Sequence, residues 1–207
     1  MKHLTKITDI KVDIKKLKSV YFNTIDKILE WSKDDPNLYD FNAICVNQIP
    51  NDPLSIRGGN IRGLYWTYPK ENWEEEKRLN KVDETQYTEL CKPFKGTYVE
   101  EVLNSFKSPY TRVRFIVQKP GAYILPHMDY DTRYSIRFFI PLVVNDWSWV
   151  AIQRKGEKLP EFKYMPADGS VWFVNVGHRH SAFNFGKTDS IKFIVSINGQ
   201  EDLDVLQ

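Results

Sequence analysis

Residues 119–142 read KPGAYILPHMDYDTRYSIRFFIPL, from Lys119 to Leu142. Pro120-Gly121 marks a turn, because proline presets one backbone angle and glycine accepts a left-handed one. Six residues later comes His127-Met128-Asp129. On or next to a strand, residues i and i+2 point to the same side, so this imidazole and carboxylate can reach one ion. From Arg133 onward the pattern has period two. Tyr134, Ile136, Phe138, Ile140 and Leu142 oppose Arg133, Ser135, Arg137 and Phe139, which predicts a strand over Arg133–Leu142.

The same alternation recurs on either side. In Thr111–Gln118, Val113, Phe115 and Val117 oppose Arg112, Arg114, Ile116 and Gln118. In Ser190–Asn198, Ile191, Phe193, Val195 and Ile197 oppose Ser190, Lys192, Ile194 and Ser196. Shorter strands are expected at Trp147–Gln153 and Ser170–Val174. Each long strand thus has one apolar face and one mixed face with a cation; the first suits packing on helices, the second a pocket wall.

Upstream the periodicity is helical. Ile14, Leu17, Tyr21, Ile25 and Ile28 recur at helical spacing from Asp13, a capping residue, to about Trp31, and Asp34-Asp35-Pro36 stops the run. Thr97 and Glu100 fit a capping box opening a second helix, striped by Val99, Val102, Leu103 and Phe106 and ended by Ser108-Pro109. Asn51 to Gly63, with Pro53, Gly58, Gly59 and Gly63, reads as loop or hairpin. Helices followed by many short strands imply a mainly β fold with flanking helices, an antiparallel sandwich or barrel. One structural domain is expected, with residues 1–110 a helical and loop extension packed on a core of residues 111–207.

Composition narrows the function. The 207 residues carry a formal net charge of +2, so bulk charge makes no case for nucleic acid or membrane binding. No apolar run approaches the ~20 residues of a membrane span. The N-terminal MKHLTKITDIKVDIKK lacks the apolar stretch of a signal peptide. Cys45 and Cys91, far apart and outside any CxxC pattern, read as buried free thiols. The expected setting is cytosolic, a reducing compartment in which Fe(II) chemistry is feasible.

The four histidines are His3, His127, His178 and His180. The HxD unit needs a third ligand from elsewhere, and the late internal histidines are His178 and His180. Two histidines and one carboxylate make the facial triad of non-haem Fe(II) sites, which leaves coordination positions open.

At this point the sequence resembles a known family. Lys119–Leu142 looks like the first metal strand of cupin-type 2-oxoglutarate oxygenases, and most resembles the aspartyl/asparaginyl β-hydroxylase and cis-proline hydroxylase group. DGSVWFVNVGHRHSAFNFGKTDSIKFIVSI, Asp168 to Ile197, is similar to their second metal strand. That pattern has a distal histidine and an asparagine four residues on; His180 and Asn184 fit it, so the resemblance implies His127, Asp129 and His180 as ligands. It also implies a double-stranded β-helix (jelly roll, cupin) using Fe(II) and 2-oxoglutarate. Such an enzyme oxidises the oxoacid to succinate and CO2 and hydroxylates an amino acid or peptide side chain.

Family members carry a basic residue about ten positions after the distal histidine, where it pairs with the distal carboxylate of the oxoacid. Here that position is Ser190, and the nearest cation on the same face is Lys192. Arg133-Tyr134 matches a family Arg-Tyr pair whose arginine contacts the other carboxylate. The cosubstrate set implied is therefore Arg133, Ser135, Ser190 and Lys192, with Arg114, Arg137 and Gln118 as further options. Tyr130, Asp131 and Arg137 are candidates to line a substrate site, along with Trp66 and Tyr68. A cupin-like binding module without turnover and a metal-dependent hydrolase or isomerase are the alternatives.

Overall fold

The alternating segments are strands. In the computed structural model, which describes residues 3–31, 43–56, 69–72, 75 and 83–203, the three long alternations become β5 (Arg114–Gln118), β7 (Ile136–Val143) and β12 (Ser190–Ile197). They pair antiparallel, with β12 between the other two. β10 (Ser170–Val174) joins on the far side of β7. Two segments from the first 110 residues complete this six-stranded sheet: β1 (Leu4–Lys11) along β10 and β2 (Ala43–Cys45) along β5, in the order β1-β10-β7-β12-β5-β2. A four-stranded antiparallel sheet, in the order β6-β11-β8-β9, consists of β6 (Tyr123–His127), β8 (Ser148–Gln153), β9 (Glu161–Tyr164) and β11 (Arg179–Asn184). A short ribbon pairs β3 (Asn47–Gln48) with β4 (Glu89–Leu90). Two opposed antiparallel sheets backed by helices form a double-stranded β-helix of the cupin type.

The N-terminal part is therefore more than the helices and loops expected of it. β1 went unread because its charges sit on an edge strand, where lysine and aspartate are tolerated and only Ile7 is buried. A left-handed Gly169 (φ 84°) lets Val12 approach so closely that any Cβ would stand 2.2 Å from its carbonyl oxygen, and Val12 donates its N–H to the Gly169 carbonyl.

The helices form where capping and periodicity place them. α1 (Ile14–Trp31) is capped by Asp13, whose Oδ1 accepts the N–H groups of Lys15 and Lys16. α2 (Tyr98–Leu103) starts at Thr97, which accepts from the Val99 N–H; the Glu100 carboxylate reaches back one residue further than a capping box requires, to the Gly96 N–H. Asn51–Asp52 turns into a 3-10 helix, Pro53–Ile56; the rest of the predicted loop, to Gly63, lies outside the described residues.

The two faces of the large sheet divide the work. Its apolar face, with Phe115, Phe138, Ile140, Phe193 and Val195, packs on Leu17 and Tyr21 of α1 and Val99 and Val102 of α2 to make the main core. Its mixed face looks toward the small sheet, where a second, smaller cluster includes Phe139, Val150, Ile152, Trp172 and Ile194. Because helices bury the apolar side, the interior between the sheets has room for polar residues. Among the described residues no helix is long and apolar enough to cross a membrane. Cys45 and Cys91 are buried and free.

Candidate metal centre

Two adjacent strands of the small sheet carry the histidines. His127 at the end of β6 is registered opposite His180 on β11, with ring centroids 4.3 Å apart. The register slips between that pair and Ala182–Ile124, so β6 carries an extra residue there. Such a bulge resets the alternation just before His127, with Pro126 accommodated because β6 is an edge strand. The Lys119–Ala122 turn that launches β6 has Gly121 at φ 79°, with the Ala122 N–H bonded to the Lys119 carbonyl. Asp129 follows β6 and is pinned by its N–H to the Val176 carbonyl.

His127, Asp129 and His180 bring ligand atoms within 4.8 Å of one another. Nε2 of His127 is 3.5 Å from Asp129 Oδ1, and Nε2 of His180 is 3.8 Å from Oδ2. Each Nδ1 is tied to a backbone carbonyl two residues back, Leu125 and His178 respectively. Donating Nδ1–H to a carbonyl fixes the tautomer that leaves the Nε2 lone pair for a metal. Burial, set against the carbonyl bond and the Asp129 charge, lowers His180 to about 4, so it is neutral at pH 7. Burial alone would raise Asp129, but the surrounding cations, Arg137 foremost, hold it below the usual carboxylate range. Two imidazoles with Nε2 turned to one point and an ionised carboxylate beside them are the donor set of a facial-triad metal site.

His178 sits in the Asn175–His178 turn, not on the strand, and its ring packs edge-on toward His3. His3 in turn bonds Glu161. The triad excludes both.

On the mixed face of the large sheet, Lys192 is 4% exposed. Its Nζ lies 3.0 Å from Gln118 Oε1, 3.1 Å from Ser190 Oγ and 3.4 Å from Ser148 Oγ, with no carboxylate partner among the described residues. Burial lowers it to about 8. Asn184, fully buried, braces the strands beside Lys192: its Nδ2 donates to the Gln118 and Thr188 carbonyls, and its Oδ1 accepts from Asn145 and Gly186.

Closer to the triad lies a second charged group. Arg137 on β7 donates one guanidinium nitrogen to Asp129 Oδ2 and the other to Glu84, 3.2 Å away. Glu84 has no exposed surface, and Arg112 and Arg114 also approach it, at 3.6 and 4.0 Å. Burial opposes its ionisation, but Arg137, Arg114 and Arg112 together keep it below the ordinary carboxylate range. Arg114, buried and beside two other guanidiniums, is lowered to about 9.

Other expected positions fall elsewhere. Arg133 does not join the pocket: its side chain is 88% exposed and paired with Asp131 at 2.9 Å. The reason is local. The Asp131 carbonyl accepts the N–H groups of Tyr134 and Ser135, and its carboxylate accepts that of Arg133, so a turn consumes the residues read as the start of the strand. β7 begins at Ile136, and the alternation that placed Arg133 beside Ser135 and Arg137 stops there. Asp131 is likewise turned outward. Ser135 is buried, 3.5 Å from Glu84. Tyr130 is half-buried against the Tyr134 ring at 4.4 Å. Trp66 and Tyr68 lie outside the described residues. Sequence reasoning missed Glu84, which stands in the charged run KVDETQ and reads as solvated, and Ser148, whose role needs the partner sheet.

The comparisons bear on this centre. The model of the aspartyl/asparaginyl beta-hydroxylase family matches residues 65–198, nearly two thirds of the chain and all three triad residues. No curated protein matches the chain. Among solved structures, an oxidoreductase of the 2OG-Fe(II) oxygenase family from Burkholderia pseudomallei is 18% identical at a TM-score of 0.38, over 47% of this chain and 50% of that one. The capsular polysaccharide assembling protein CapF from Staphylococcus aureus is 18% identical at 0.36, over 42% and 23%. An oxalate decarboxylase-like protein from Thermotoga maritima is 19% identical at 0.31, over 42% and 66%. The chain thus spans half or less of the first two of these proteins and 66% of the third. On the strength of the family match, the chain belongs to the aspartyl/asparaginyl beta-hydroxylase family.

Proposed function

We propose that this chain is an Fe(II)- and 2-oxoglutarate-dependent dioxygenase that hydroxylates an amino acid or a peptide side chain and releases succinate and CO2. The observation that carries the reading is the pairing of a His127–Asp129–His180 triad with a buried lysine that has no carboxylate partner among the described residues. A cation is costly to bury without a counter-charge, and a dicarboxylate bound between the sheets supplies one. Lys192 would take the distal carboxylate, with the Ser148 and Ser190 hydroxyls as further donors. His180 and Ser148 lie on the paired strands β11 and β8, so one sheet carries both a triad ligand and a hydroxyl that faces Lys192. With Arg133 turned to solvent, the cationic character beside the triad comes from Arg137 and Arg114.

An Fe(II) ion held by the triad would supply the coupling of O2 reduction to oxoacid decarboxylation. The protein's part is to fix the imidazole tautomers, keep Asp129 ionised, neutralise the dicarboxylate and exclude bulk water. A reducing cytosolic setting suits both Fe(II) and the two free thiols.

The test is succinate formation from 2-oxoglutarate with Fe(II) and ascorbate, screened against amino acids and peptides for stimulated turnover. Substrate-dependent succinate with a hydroxylated product is expected. A protein that binds metal and oxoacid but never consumes the oxoacid would be a binding module, and the reading would fall.

A further inference from the structure

Among the described residues of the first 110 none is a ligand to the proposed metal, yet one side chain reaches its edge. Glu84–Gln86 form a 3-10 turn capped by Asp83, whose side chain accepts the Thr85 N–H. The turn is moored twice to the segment after the HxD unit: the Tyr134 hydroxyl bonds Asp83 and also accepts the Glu84 N–H. Glu84 then points into the interior, where its carboxylate meets Arg137, Arg112, Arg114 and the Ser135 hydroxyl.

We propose that Glu84 is a positioning residue for the metal centre, holding Arg137 so that its guanidinium engages Asp129 Oδ2 and leaves Oδ1 facing His127. The geometry is a relay of three groups, Glu84–Arg137–Asp129. A guanidinium is a rigid planar fork, and fixing one arm fixes the direction of the other. With Glu84 in place, Arg137 is held at both ends by carboxylates. Arg112, Arg114 and Arg137 all approach Glu84, and of the three Arg137 also pairs with Asp129. Without Glu84 the Arg137 guanidinium would lose its second anchor and be free to pivot onto both Asp129 oxygens, drawing Oδ1 away from His127. Glu84 thus acts through Arg137 and touches no reacting atom.

This inference rests on the triad being a metal site, and its test separates the two ideas. Mn(II) is titrated into metal-free wild type, Glu84→Gln, Glu84→Asp and Tyr134→Phe, following free Mn(II) by electron paramagnetic resonance. Circular dichroism and thermal melts are recorded on the same samples. Glu84→Gln is expected to weaken Mn(II) at least tenfold and to alter the visible spectrum of the Co(II) form. Glu84→Asp keeps the charge but draws the carboxylate back from Arg137; it carries the test if the glutamine variant does not fold, with a loss of several-fold expected. Tyr134→Phe removes the hydroxyl that moors the Glu84 backbone but leaves the Glu84 carboxylate among its three guanidiniums, so it should lower the melting temperature while changing Mn(II) affinity less than twofold. Wild-type affinity in a folded Glu84→Gln protein, or an equal loss in Tyr134→Phe, would overturn the role. Failure of the wild type to bind Mn(II) would overturn the metal reading, and the relay with it.

Discussion

The Nζ atom of Lys192 lies 3.0 Å from the side-chain oxygen of Gln118, on the neighbouring strand of one sheet. Three neutral oxygens surround this ammonium group and no carboxylate does, among the described residues. The arrangement is matched to an incoming anion. Lys192→Ala should therefore raise KM for 2-oxoglutarate on the order of a hundredfold, since removing one partner of a buried ion pair costs roughly 3–5 kcal/mol and solvent entry reduces that. Mn(II) affinity should stay within about twofold. Pyruvate lacks the distal carboxylate, so the preference for 2-oxoglutarate over pyruvate should narrow in parallel; an unchanged preference would remove Lys192 from the role.

The same lysine sets a pH limit. Its folded-state value, about 8, lies below the 10.5 of a free lysine because burial disfavours the charge. In the free protein it is protonated below about pH 8 and loses its proton above that. KM for 2-oxoglutarate should be flat below pH 8 and rise about tenfold per unit above it, while KM for pyruvate shows no such rise. For stability the sign is reversed. Below pH 8 the buried charge carries its full penalty, and stability gains from deprotonation between about 8 and 10.5, where the unfolded chain binds the extra proton.

Metal binding should discriminate among histidines. His127→Ala and His180→Ala are each expected to abolish measurable Mn(II) binding by calorimetry. His178→Ala should retain it within a few-fold, because that ring leans toward His3 and only its carbonyl serves the site. Loss of binding in His178→Ala with retention in His180→Ala would reverse the assignment.

Arg133→Ala should leave KM for 2-oxoglutarate within about twofold of wild type. Its guanidinium is solvent-facing and committed to Asp131, and such exposed pairs contribute little. A large rise in KM would mean that the turn reorganises when the oxoacid binds, a change visible as altered Arg133 side-chain resonances on titration.

Phe193→Ala tests the division between the two faces of the large sheet. Phe193 is fully buried on the helix side, its ring 4.7 Å from that of Phe115. Truncation should cost about 3–5 kcal/mol of unfolding free energy in a denaturant titration. Below the unfolding transition, Mn(II) affinity should be unchanged, because the cavity opens away from the triad.

The residues alone determined a good deal of this. Period-two alternation in Thr111–Gln118, Arg133–Leu142 and Ser190–Asn198 located the three central strands, because a side chain on a pleated strand has only two directions to take. The same rule assigned Phe193 to the core and Lys192 to the pocket side, and it paired His127 with Asp129. His180 was chosen over His178 only through the resemblance, and the Asn175–His178 turn supplies the physical reason. What the tertiary structure decided were the features that depend on groups distant in sequence. Arg133 left the strand face because the Asp131 turn bonds three successive N–H groups that period-two reasoning had allotted to a strand. The short β2 and the charged edge strand β1 gained their identity from the neighbours they pair with. Glu84 stands in a run of charged residues that locally belongs in water. It is buried only because Arg112, Arg114 and Arg137, which stand 28 to 53 residues further on and are brought together by the large sheet, make the interior a better solvent for its carboxylate than water is.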